Sequence, residues 1–280
     1  MAATSAPAAP AVRPASLPAA TGQAGIPGAL RSEFTKIRST RSTYWTLLAL
    51  VVVTVGFGAL ASWGAASHAK GLGPGFDPTQ RSLGGLYIGQ LIIAVLGALA
   101  ITSEYSTGMI RTSLTAMPRR GTVFAAKAVV FATIAFVTGL ITSFAAFFLG
   151  QALMSGQHIN ATLGQPDVLR AVIGGALFLT ICGLLAFGIG MILRHTAGAI
   201  TASIGLLFVL SILVNFLPQS WQADINKWMP TIAGSQIWAT RASADGGAPM
   251  FSAWTGLAVF AGYAAIAVIA GVILFRRRDA

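Results

Sequence analysis

Six mostly apolar runs order the chain: Tyr44 to Ala66, Leu83 to Thr102, Val123 to Gly150, Ala171 to Leu193, Ala197 to Leu217 and Phe251 to Phe275. Five contain no charged residue, and the third is interrupted only by Lys127 near its start. About 20 apolar residues suffice to cross the hydrocarbon of a bilayer. The pattern therefore predicts an all-α polytopic membrane protein with six transmembrane helices, at about 44–66, 83–102, 123–150, 171–193, 197–217 and 251–275. The longest stretches outside the runs are the first 43 residues and Pro218 to Met250, too short for an enzyme domain of the usual ~100 to 150 residues.

The polar segments divide into distinct kinds. Residues 1–27 are rich in Ala and Pro, with Arg13 as their only charge, and predict a disordered tail ahead of a six-span domain over 28–280. From Ala29 to Arg41, Leu30, Phe34 and Ile37 fall at i, i+4 and i+7, with Arg31, Lys36, Arg38 and Arg41 on other faces beside Glu33. That spacing predicts an amphipathic helix on an anionic membrane surface, apolar side down and cationic side out. The segment from Gly64 to Arg81, broken by Gly71, Gly73, Pro74, Gly75 and Pro78, reads as an irregular connector. Trp221, Trp228 and Trp238 in the segment before the last run predict one or two short helices at the membrane boundary, interrupted at Pro230 and ended near Gly246 and Gly247. They would form an aromatic anchor or an outer gate.

Composition agrees with a lipid environment: 55% of residues are hydrophobic and 9% charged, against about 25% charged in soluble domains. The formal charge of +11 is unevenly spread. With six spans, one side holds Arg13, Arg31, Lys36, Arg38, Arg41, Arg111, Arg119, Arg120, Lys127, Arg194 and Arg276 to Arg278; the other holds Lys70, Arg81, Arg170, Lys227 and Arg241. Positively charged short loops are retained in the cytoplasm. Both termini are thus expected there, in a multi-pass protein of the plasma (inner) membrane.

Reactive chemistry finds little footing. His68, His158 and His195 stand in different loops and share no metal-ligand spacing. No G-x-x-x-x-G-K-[ST] phosphate loop and no hydrolase nucleophile motif occurs. No cofactor and no nucleic-acid partner is expected, and Cys182 reads as a packing residue. Lys127 lies near enough to the end of its span to snorkel into the headgroups, which leaves no intramembrane titratable relay of the kind ion-driven carriers use. Polar residues inside the runs, Gln90 among them, are expected to bond between helices, and Gly85 with Gly89 to permit close helix approach.

The segment after the second run is the informative one. Ile110, Leu114 and Met117 form an i, i+4, i+7 stripe on a short helix that Pro118 would stop, with Arg111 beside it. Such a ridge suits a groove on a partner protein, or packs on the bilayer with the arginines as retention signals. Glu104, Gly108, Ile110, Arg111, Leu114, Pro118 and Arg119 resemble the E-x-x-x-G-x-I-R-x-x-L-x-x-x-P-R segment of type-2 ATP-binding-cassette (ABC-2) transporter permeases. The stretch Trp228 to Gly234 is similar to that family's outer L-P-x-x-A-G sequence, with Met229 in place of Leu.

The resemblance implies the membrane subunit of an exporter, paired with itself or a similar permease and driven by a separate cytoplasmic ATP-binding-cassette ATPase. The helix between spans 2 and 3 would be its coupling helix, with Glu104 fixing the elbow, Gly108 allowing close approach, Ile110 and Leu114 filling the ATPase cleft and Arg111 pairing with acidic groups. ATP hydrolysis would belong to the partner. A membrane scaffold without transport and an ion-driven secondary carrier are the alternatives. Substrate identity is open among amphiphilic drugs, antibiotics, lipids and glycans.

Overall fold

A computed structural model describes residues 25–73, 75–106, 120–241 and 250–277. Its described residues are helical, with no strand among them. α1 spans Ile26–Ser39, α2 Arg41–Ser67, α3 Pro78–Ser82, α4 Leu86–Ser106, α5 Arg120–Ser155 and α6 Val168–Leu193. α7 covers Thr196–Val214, α8 Gln219–Asn226, α9 Pro230–Ser235 and α10 Ala253–Arg277. Six helical stretches are long and apolar enough to cross a membrane: α2, α3 with α4 (Pro78–Tyr105), α5, α6, α7 and α10.

The helices are not equivalent. The apolar window of α6 is 67% buried, against 22% in α2 and in α7, so α6 is the central post, packed on α4, α5 and α10. Lipid tails are as apolar as leucine, so helices gain by close packing rather than by escaping water. Small residues make that approach possible. Gly85 and Gly89 both face Thr54 on α2, and a Cβ on Gly85 would overlap the Thr54 carbonyl. Gly97 of α4 likewise lies against the Gly183 backbone of α6.

At one end of the bundle, called here the basic end, lie α1, the C-terminus of α4 and the turn at Arg194. The opposite end departs from the sequence expectation in several ways. The supposed connector before the second span is organised: Asp77 caps α3 by accepting from the Gln80 N–H at 2.9 Å, with Pro78 in the first turn. Its other oxygen accepts from the N–H groups of Thr240 and Arg241 at 2.7 and 3.1 Å. Gln151 donates to the Pro78 carbonyl and Ser82 and accepts from the Ala161 N–H. Arg170 holds the carbonyls of Ile237 and Ala239 at 2.7 and 2.9 Å.

The tryptophan-rich segment forms two short helices, α8 and α9, with Pro230 in the first turn of the second. Trp221 and Trp228 are exposed, but Trp238 is fully buried. It meets Phe178 edge-on at 4.4 Å and Tyr87 at 5.5 Å, so it belongs to the core rather than to a boundary belt. The expected end of this segment near Gly246 and Gly247 lies outside the described residues.

α7 contains a π-helical turn at Gly205–Val209. Thr231 of α9 donates to the Leu207 carbonyl in that turn and contacts Gln90 of α4, its hydroxyl 3.0 Å from the amide oxygen. The expected inter-helix role of Gln90 is thereby given a partner that no span supplies.

Candidate functional site at the basic end

α1 opens with Pro27 in its first turn, where a missing N–H costs nothing; it begins inside the stretch read as tail. Residues 1–24 lie outside the described set. Only Ala29 and Glu33 of α1 are buried, and that side packs on α5. Leu30 and Ile37 are half-buried, and Phe34, Arg31 and Arg38 are exposed. The helix is thus keyed to the bundle by its acidic residue, and its orientation differs from the simple scheme of apolar side down and all cations out.

Lys36 shows the difference most directly. It turns toward the bundle, its Nζ 2.7 Å from Glu33 Oε1 and 3.1 Å from Glu104 Oε1. Lys127 of α5 reaches the same two carboxylates, at 2.5 Å from Glu33 Oε2 and 2.8 Å from Glu104 Oε1. The four charges close a ring in which each lysine touches both acids. Glu33, Glu104 and Lys127 are 2%, 6% and 4% exposed, so Lys127 does not snorkel to the headgroups; two buried carboxylates hold it inside.

The ring gathers α1, α4 and α5, and the two glutamates in it are the only two in the 280-residue sequence. Burial tends to lower the Lys36 pKa, but the Glu33 hydrogen bond and the charges of Glu104 and Glu33 outweigh it, and the value is raised above the ordinary 10.5. Desolvation of buried ions consumes most of their mutual attraction. The ring therefore fixes registry between three helices more than it adds net stability.

A second brace holds the other side of the α4 terminus. Arg194, in the left-handed region with φ 53°, sets its guanidinium 5.4 Å from the Tyr105 ring and 5.6 Å from that of Phe275. Phe275 in turn packs on Phe124 at 4.3 Å. Thr196 donates to Thr102 at 3.0 Å. His195 caps α7, its Nδ1 accepting from the Gly198 N–H, which gives it a structural task. Among the described residues no cluster of His, Cys, Asp and Glu could hold a metal.

Of the coupling residues read from sequence, Glu104 is described and stands in the ring. Gly108, Ile110, Arg111, Leu114, Pro118 and Arg119 lie outside the described residues. The structure adds Glu33 and Lys127, which sequence reading did not place in the site. The available signals were a lysine inside an apolar run and a lone acid in a basic helix.

These features define a six-span integral membrane protein whose α4 stem, leading into residues 107–119, is braced on both sides. The family model described as ABC-2 family transporter protein matches residues 29–215, from the first buried residue of α1 to the end of α7. The chain belongs to that family. It is accordingly a membrane permease of the ABC exporter kind, a transport subunit whose family implies an ATP-binding-cassette ATPase as partner. The Trp228 to Gly234 stretch and α10 lie beyond the matched residues. A comparison with curated proteins finds no match.

Proposed function

We propose that the chain is driven through residues 104–119, which dock on a separate cytoplasmic ATPase, and that two such permeases, identical or similar, assemble to export a small or amphiphilic substrate. Both termini then face the cytoplasm of a plasma membrane, with the residues ahead of α1 as a tail before the permease domain. The observation that carries this reading is the closed ring of Glu33, Lys36, Glu104 and Lys127. A lever must be stiff at its root, and the ring together with Arg194 ties the α4 stem to α1, α5, α7 and α10. Movement imposed on Glu104 is passed to the interfacial helix and to α5 instead of being lost in a hinge.

Energetically the demand is modest. About 5.5 kcal/mol of differential binding moves a two-state population from 1:99 to 99:1, and burying Ile110, Leu114 and Met117 at roughly 1.5 to 3 kcal/mol each covers that scale. Arg111 adds little if its pair stays wet, about 0 to 1 kcal/mol. The buried charges do not favour an ion-driven carrier, because each lysine is neutralised by two acids and all four sit at one end of the bundle.

Co-purification tests the reading. The ATPase subunit is expected to accompany the wild-type chain and to be lost from Gly108→Trp/Leu114→Asp, with membrane insertion unchanged. ATPase association and ATP-dependent export that survive the double substitution would remove the coupling assignment. A chain that never associates with an ATPase would be a scaffold.

A further inference from the structure

A cavity of about 400 Å³ lies beside the charge ring, between the α1–α2 elbow, α4 and α5. Its size falls within the ~300 to 1,000 Å³ of small-molecule pockets. Floor and mouth differ in chemistry. Leu96 and Phe131 are buried and Leu99, Ala100 and Ile134 half-buried, whereas Ser39, Thr40 and Ser42 at the elbow are exposed. From Leu96 to Glu104 the α4 wall rises about 12 Å, enough for a polar head and a short apolar chain.

The charged groups on the wall select against charge. Lys36, Lys127 and Glu104 line the cavity, and each is already paired within the ring that Glu33 completes, two lysines against two carboxylates. An anion entering here would meet Glu104 beside the lysines, and a cation the lysines beside Glu104. Either would shed water without gaining a free counter-ion. The hydroxyls at the elbow ask for something else. Those of Ser39 and Thr40 both donate to the Lys36 carbonyl, each at 2.9 Å, and that of Thr46 donates to the Ser42 carbonyl at 2.9 Å. With their protons engaged, these oxygens are left to a ligand as acceptors. The matching head group carries donors of its own and no net charge.

We propose that this cavity receives an uncharged amphiphile with a hydroxyl- or amide-bearing head, the cargo entering from the leaflet at the basic end. The head lies among Ser39, Thr40, Ser42, Thr43 and Thr46, and the chain lies along Leu96, Leu99, Phe131 and Ile134. The inference names the substrate class of the proposed exporter and rests on that reading. Occupancy of the cavity is measured on the permease alone, so its failure would leave ATPase coupling untouched.

Photolabelling of the full chain in phosphatidylcholine nanodiscs tests the site, with decylglycerol, decyl sulfate and decyltrimethylammonium as probes, each carrying the same diazirine in its chain. Label at Leu96 to Ala100 and Phe131 to Ile134 is counted relative to label at the exposed Ile266, Ile269 and Ile273 of α10, which corrects for partition into the bilayer. Decylglycerol is expected to give a ratio about tenfold above both charged probes, the scale of one or two hydrogen bonds. Ala100→Phe, which fills the apolar part, should bring that ratio down to the level of the charged probes. Ser42→Ala/Thr43→Val/Thr46→Val should do the same while nearly keeping the volume, and it touches only exposed or half-buried positions, so it decides if Ala100→Phe does not fold. Equal ratios for the three probes, a higher ratio for a charged one, or a decylglycerol ratio unmoved by the hydroxyl substitutions would overturn the proposal. Cargo is told from a resident lipid in the assembled transporter, where decylglycerol should raise ATP hydrolysis and decyl sulfate should not. Labelling of the cavity without that stimulation would overturn the cargo assignment in favour of a resident lipid, and a chain that labels but associates with no ATPase would remove the export reading instead.

Discussion

The two ends of the bundle are fastened by different chemistry. At the basic end the ties between helices are ionic, run from side chain to side chain, and are distant in sequence: Glu33 to Lys127 and Glu104 to Lys36. At the opposite end they run from side chains to backbone, as Asp77 binds the N–H groups of Thr240 and Arg241 and Arg170 binds two carbonyls. Backbone ties fix the course of loops and hold wherever the chain goes. Side-chain ties fix the registry of helices and can be exchanged, which suits the end where force is proposed to enter.

Substitutions can break this contrast in order of size. Lys127→Met strands two buried carboxylates on Lys36 alone and is expected to cost about 3 to 5 kcal/mol, read as a large drop in the thermal midpoint of the detergent-solubilised chain. An unchanged midpoint would mean that the ring carries no registry. Asp77→Ala at the opposite end removes a helix cap and the acceptor of two further N–H groups, about 2 to 3 kcal/mol. Its specific sign is faster labelling of a cysteine introduced at Thr240, with the basic end undisturbed.

Thr231→Val tests the link between α9 and the π turn of α7, at about 1 kcal/mol, measured as a lower midpoint than that of Ser235→Ala nearby. Asp224→Asn breaks an exposed pair with Lys227 and should change stability by about 0 to 1 kcal/mol; a larger loss would blur the distinction between buried and surface pairs. The smallest effect is that of pH on Lys36. Because its value is raised, its favourable contribution is complete below the ordinary 10.5 and is lost only as pH climbs through the higher folded value. The Lys36 pairs should therefore be unaffected between pH 7 and pH 9, and a difference there between wild type and Lys36→Gln that changes with pH would contradict the geometry.

The spans were legible because lipid imposes a length and an apolarity on each one separately, as at Val168–Leu193. The ring was not, because three of its four contacts join residues 23, 68 and 94 apart, only Glu33 with Lys36 being local, and its members have innocent local readings: Lys127 as a snorkelling residue, Glu33 as one polar position on an interfacial helix. Trp238 was misread for a similar reason. Tryptophan favours the boundary on average, and only the rings of Phe178 and Tyr87 draw this one into the core. Asp77 followed by Pro78 is a helix-start pattern, but it is embedded among Gly71, Gly73, Pro74 and Gly75, whose composition reads as a connector. Nothing local announced the π turn, whose Leu207 carbonyl is met by a hydroxyl 24 residues away.

The turn between α6 and α7 has a consequence for biosynthesis. Only Arg194 and His195 separate the two helices, too few residues to let one cross the bilayer independently of the other, so the two are expected to insert together. With Arg194 holding the shared end at the basic face, the pair enters as one antiparallel hairpin. A charge placed midway along α7 would then strand α6 as well, and with it the post on which the other helices are assembled.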